Sequence, residues 1–337
     1  MMKTIKKLLV IRLSALGDIC MTLPVIDSFC RAYPDIQVTL LTSKPGAAIT
    51  RSVLHLPNLN IHAINKADYS GLGGLNCLYK EMKALQFDAV ADLHDVLRSK
   101  WIDLRFRLAG HPVQVIDKGR KQKKQLIRHE VVQQLKSGTA RYYEVFQRLG
   151  FEFPVDYQET MHRLPHEVQQ PAIGIAPFAQ HQGKIYPLDL MQEVIERLIA
   201  SRPDLHIVLF GGKEDADTLQ PWADRHPERI TNVAGKQTFA EDLAMMSGLN
   251  LMVSMDSANM HLASLVGLRC LSIWGATHRY AGFLGYGQQE TDCIERPLSC
   301  RPCSIYGNKP CHMGDYPCLK EITPQVVAER ILNALHD

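Results

Sequence analysis

No uninterrupted apolar segment reaches the ~18 residues needed to cross a bilayer, so no membrane-spanning helix is expected. Nor is a signal peptide expected. The basic tip MMKTIKK leads only to the short run Leu8–Ile11 before Arg12 interrupts it, too short for an h-region. Charge of one sign is scarce: 38 Lys and Arg against 35 Asp and Glu leave +3, too little to imply a nucleic acid partner. The first turn carries no GxGxxG, and no Walker A pattern occurs, which lowers oxidoreductase and kinase readings. Ser14 and Asp18 lie close in sequence without a paired His, so no nucleophile triad is suggested. These absences leave a chain expected to stay in the cytoplasm.

What is present is globular. The 337 residues are 46% hydrophobic, enough for two domains with cores of their own. Short apolar strands alternate with helices from Lys7 to Ile116, and again from Ala172 to Trp274, which argues two parallel-sheet α/β units. The segment from Phe151 to Pro171 holds Pro154, Pro165 and Pro171 and reads as the linker. A cleft between two such halves is the natural place for a ligand.

The stretch LNLMVSMDSANMHLASLVGLRC, Leu249 to Cys270, organises the second half. It reads as a buried strand ending at Asp256, a small polar turn, and a helix through His261. Strand ends of a parallel sheet and free N–H groups at a helix start favour an anionic ligand there. The plain alternative makes Asp256-Ser257 an N-cap only. His261 is placed either to donate to a phosphate or to satisfy an internal carbonyl. Lys184, in a loop before Pro187 opens a helix, is either a diphosphate contact or a surface lysine. Glu214, after Gly211-Gly212, could accept from ribose hydroxyls. Asp18 follows Gly17 after the first strand, as a general base or as a helix cap.

Two further clusters carry alternatives. Lys118–Arg128 holds six cations and reads as a solvated loop or as an edge facing a membrane-bound or phosphorylated partner. Cys300, Cys303, Cys311 and Cys318 could hold a structural zinc ion, although their unequal spacing differs from paired CxxC motifs; free thiols are the other reading.

Taken together, RLSALGDICMTLPVI, APFAQHQGKIYPLDLMQEVIERL, FGGKEDA, VSMDSANMHLASLVGLRCLSIWGATH and the cysteine-rich tail resemble the bacterial lipopolysaccharide heptosyltransferases of glycosyltransferase family 9. The resemblance implies a GT-B fold of two Rossmann-like domains, 1–165 binding acceptor and 166–322 binding nucleotide sugar, with a terminal helix, 323–337, packing back toward the first. It also implies inverting transfer of heptose from ADP-L-glycero-β-D-manno-heptose to a lipid-linked lipopolysaccharide core at the inner membrane. Asp18 would match the base, Lys184 the phosphate contact, and Asp256, Ser257, Ala258 and His261 the donor loop. Glu214 would match a ribose carboxylate. Lys44, Arg51 and Arg98 are candidate acceptor contacts. Lys184 and a helix dipole would stabilise the departing ADP, so no metal or other cofactor is called for. The family's Thr or Ser before the Lys is replaced by Ala179-Gln180, which leaves the donor open. The alternatives are a GT-B enzyme using another nucleotide sugar for a surface glycan, an epimerase of the same architecture, or a nucleotide-sugar-binding protein without transfer activity.

Overall fold

The computed structural model describes residues 5–157 and 171–336. They form two compact units: 5–118 with 138–157, and 119–137 with 171–336. The exchange at 119–137 departs from a single cut near 165. Most of the expected linker, 158–170, lies outside the described residues. Its first part, 151–157, belongs to the first unit, where Phe151 and Phe153 pack on Phe29 with ring centroids 5.0 and 5.5 Å away.

The first unit runs β1 (Lys7–Ile11), α1 (Leu16–Ala32), β2 (Gln37–Ser43), α2 (Lys44–Val53), β3 (Leu59–Ile64), α3 (Gly71–Ala84), β4 (Ala89–Asp92), α4 (Leu97–Leu108) and β5 (Val113–Val115). After α5 (Arg120–Ile127), which belongs to the second unit, α6 (Gly138–Arg148) closes the first. Its sheet has the order β3-β2-β1-β4-β5 with every pair parallel. Helices cover both faces, so β1 must be apolar on both, and Leu8 to Ile11 are fully buried. The first helix continues through Pro24.

The second unit continues with β6 (Ala172–Ala176), α7 (Leu188–Ser201), β7 (His206–Leu209), α8 (Ala216–Arg225), β8 (Ile230–Asn232), α9 (Phe239–Ser247), β9 (Leu251–Met255), α10 (Ala258–Leu265), β10 (Cys270–Trp274), β11 (Cys293–Glu295), α11 (Pro317–Lys320) and α12 (Pro324–Ala334). This sheet, β11-β10-β9-β6-β7-β8, is also wholly parallel. The terminal helix α12 packs on α7, within its own unit.

The basic run is helical where a loop was expected: Arg120–Ile127 forms α5. Lys, Arg and Gln are good helix formers, and the fully buried Leu126 anchors the helix. No helix among the described residues is long and apolar enough to cross a membrane.

Candidate functional site

Each sheet reverses its strand order once, between β1 and β4 in the first unit and between β6 and β9 in the second. Ligands of open α/β sheets bind beyond the carboxyl ends of the strands at such points. Asp18 follows β1 at the first, and Lys184, Asp256 and Ser257 follow β6 and β9 at the second.

In the first unit, Asp18 sits in the first turn of α1, two residues after the helix begins. Its side chain is about 29% exposed and is held by an ion pair to the buried Arg12. The Ala15 N–H donates to it at 3.3 Å and the Tyr142 hydroxyl at 3.4 Å. The capping reading is therefore correct as far as it goes, and one carboxylate oxygen faces a second donor. Arg12 itself is pinned by donation to the Leu93 carbonyl at 2.6 Å. Beside it, His94 Nε2 lies 3.4 Å from Ser14 Oγ. Burial and the charges of Arg12 and Lys118 push the His94 pKa down to about 3, so the ring is neutral at pH 7.

Under this turn lies a buried acid pair. The Asp92 carboxylate accepts from the His94 and Asp95 N–H groups at 2.7 and 3.0 Å. On α4, Asp103 is buried against Asp92, to which its protonated carboxyl can donate, and its oxygens meet no other donor among the described residues. Burial and the neighbouring Asp92 charge push the Asp103 pKa up to about 9, which leaves it protonated at pH 7.

The candidate acceptor cations separate. Lys44 is exposed at the start of α2, on the same sheet edge as Asp18. Arg98, at the start of α4, shares that edge and donates to the Lys66 and Tyr69 carbonyls at 2.9 and 3.4 Å. Arg51 stands in the last turn of α2, toward the opposite edge, lining an open hollow with His55, Pro57 and Asn60.

In the second unit, Lys184 follows β6 and Asp256 follows β9. The Lys184 ammonium pairs with Asp256 Oδ2 at 3.1 Å, and the Thr277 hydroxyl donates to the same oxygen at 2.8 Å. Ser257 occupies the N-cap position of α10, yet its side chain makes no capping bond and its hydroxyl instead lies 3.1 Å from Ser254 Oγ. Ser257 thus holds the N-cap position of the plain reading without the capping bond. The first N–H groups of α10, beginning at Ala258, have no side-chain cap beside a lysine, which suits a phosphate. His261 is buried one turn along. Glu214 is exposed beyond β7.

The loop from Gly275 to Thr277 is built from both sides. The Ala276 N–H donates to the Gly183 carbonyl at 2.8 Å and the Cys303 N–H to the Ala276 carbonyl at 3.1 Å. Buried Arg301 donates to the carbonyls of Trp274, Gly275, Thr277 and Arg296 and to Glu295 at 2.6–3.1 Å. The cysteine-rich segment thus braces the Lys184 loop. All nine cysteines are free, and no three His, Cys, Asp or Glu among the described residues are arranged to hold a metal. Arg12, Thr277 and Arg301 lie within the family-like motifs and Tyr142 outside them, but none was singled out, because their roles arise from partners 6 to 124 positions away.

Two parallel α/β units of this construction define the GT-B fold. A family profile described as "Glycosyltransferase family 9 (heptosyltransferase)" matches residues 76–313. The chain is 22% identical to the lipopolysaccharide core heptosyltransferase OpsX of Haemophilus influenzae, over 80% of this chain and 79% of that one. Among solved structures, the ADP-heptose lps heptosyltransferase II of Escherichia coli matches with a TM-score of 0.72 at 18% identity, over 98% of each chain. The E. coli heptosyltransferase WaaC with ADP-2-deoxy-2-fluoro heptose matches with 0.70 at 18%, over 97% of this chain and 99% of that one. The chain belongs to glycosyltransferase family 9.

Proposed function

We propose that the protein transfers a heptose from ADP-L-glycero-β-D-manno-heptose to the lipopolysaccharide inner core, inverting the anomeric centre. The observation that carries this reading is the uncapped start of α10 beside the Lys184–Asp256 pair, a seat for a diphosphate. Support for the sugar and acceptor comes from the names of the relatives, which are lipopolysaccharide heptosyltransferases.

In this reading Asp18 accepts the proton of the acceptor hydroxyl as its oxygen attacks the anomeric carbon. The bond from that carbon to the diphosphate breaks, and ADP leaves with its negative charge on Lys184 and the α10 N–H groups. Direct displacement inverts the centre without an enzyme nucleophile, as in base-assisted inverting glycosidases. Asp256 and Thr277 hold the lysine in position, and Glu214 serves the ribose. The acceptor is lipid-linked, so the protein works in the cytoplasm and visits the inner leaflet, with Lys44 and Arg98 near the acceptor.

Calorimetry with ADP-heptose, UDP-sugars and GDP-sugars tests the donor. The ADP-sugar should bind tightest, and Lys184→Ala should weaken it roughly tenfold or more, since a charge-assisted contact is worth about 1.5–3 kcal/mol. Preference for a UDP- or GDP-sugar would replace this reading with that of another surface-glycan transferase.

A further inference from the structure

Three of the ten exposed large apolar side chains among the described residues stand on one helix: Leu97, Leu104 and Leu108 on α4 are 80%, 50% and 76% exposed. At 3.6 residues per turn they fall within about 40° of one another, so they form a single ridge. The opposite side of α4, with Ser99, Ile102, Asp103 and Phe106, is buried. Between ridge and core lie four cations, Arg98 and Arg105 on one flank and Lys100 and Arg107 on the other.

These cations keep their charge available. The Arg105 guanidinium lies over the Tyr79 ring at 4.7 Å, and Arg98 and Arg107 donate to backbone carbonyls. Among the described residues, Lys100 alone of the four pairs with a carboxylate, Asp95 at 3.3 Å. The one acid on α4, Asp103, is on the buried side. Leu72, 68% exposed, adds a further apolar group at the start of the neighbouring α3.

We infer that the outer face of α4 docks on an anionic lipid surface, its leucines entering the headgroup boundary and its flanking cations meeting lipid phosphates. Charge selects this occupant over a second copy of the chain, because self-pairing along the ridge would set the same cations against each other. This inference deepens the proposed visit to the inner leaflet and rests on that reading for its purpose. It supplies the apolar component that the basic helix α5 lacks, since stable membrane association needs more than one weak signal.

The test is sedimentation of the full chain with vesicles of phosphatidylcholine alone and with phosphatidylglycerol added. Leu104→Gln/Leu108→Gln is the variant, and ADP binding and thermal melting are the controls. Wild type should partition onto the anionic vesicles. The double variant should lose roughly tenfold or more of that partition, as expected from two leucine side chains no longer leaving water, with ADP affinity and melting unchanged. Equal partition of the two proteins would overturn the inference. So would wild type that ignores anionic vesicles, or a dimer of the free protein that the double variant abolishes. Wild type that binds vesicles but no ADP would refute the donor reading alone.

Discussion

Thr277 donates to the carboxylate oxygen that also receives the Lys184 ammonium, so a hydroxyl 21 residues beyond Asp256 sets the direction of the Asp256–Lys184 pair. Thr277→Val keeps the shape and removes the donor. It should weaken ADP binding roughly five- to tenfold, about 1–1.4 kcal/mol, while Thr277→Ser restores it; isothermal titration reads both. Asp103 makes a separate prediction. Its folded pKa, about 9, stands above the ordinary carboxylate value, so the native state holds a proton the unfolded chain has lost. Stability from this group is present at acid pH and declines as pH rises from about 4 toward 9. Asp103→Asn should therefore raise the melting temperature at pH 8, by on the order of 1–3 kcal/mol or a few degrees, and change it little at pH 4. The sequence pointed to Asp18, Lys184 and Asp256 because each follows a strand at a small-residue turn. It could not point to Thr277 or Arg12, which become relevant only when distant strand ends are brought side by side.

At the scale of elements, most strands and helices were legible within two or three residues, because hydrophobic runs and cap residues mark them. The start of α9 is marked by Thr238 and Glu241, which form a reciprocal cap. Three elements were not legible, the shortest helix among them being the four-residue α11. The helix α5 was hidden by its charge, since one buried leucine gives no periodic pattern. The strand β11 was missed because three residues beside β10 carry no pattern of their own. That edge is tied down by Arg301, whose guanidinium joins β10, the 275–277 turn and Glu295 of β11. Arg301→Met would leave several buried carbonyls without a donor. It should cost about 3–5 kcal/mol and lower the melting temperature by on the order of 10 °C. Arg301→Lys should recover only part of this, since an ammonium lacks the planar fork.

For the whole molecule, two doubly wound units could be read from the chain because both sheets are parallel and their strands are apolar on both faces. The exchange of 119–137 could not, since it depends on tertiary contacts such as Leu126 with Ala281 and Ile305. The two strand-order reversals set Asp18 at the edge of one sheet and the Lys184–Asp256 pair at the edge of the other. The account stands most directly on Asp18. Single-turnover transfer from bound ADP-heptose to a lipopolysaccharide core acceptor should be about 10²–10⁴-fold slower in Asp18→Asn, with donor affinity unchanged. A variant that binds donor and transfers at the wild-type rate would contradict it.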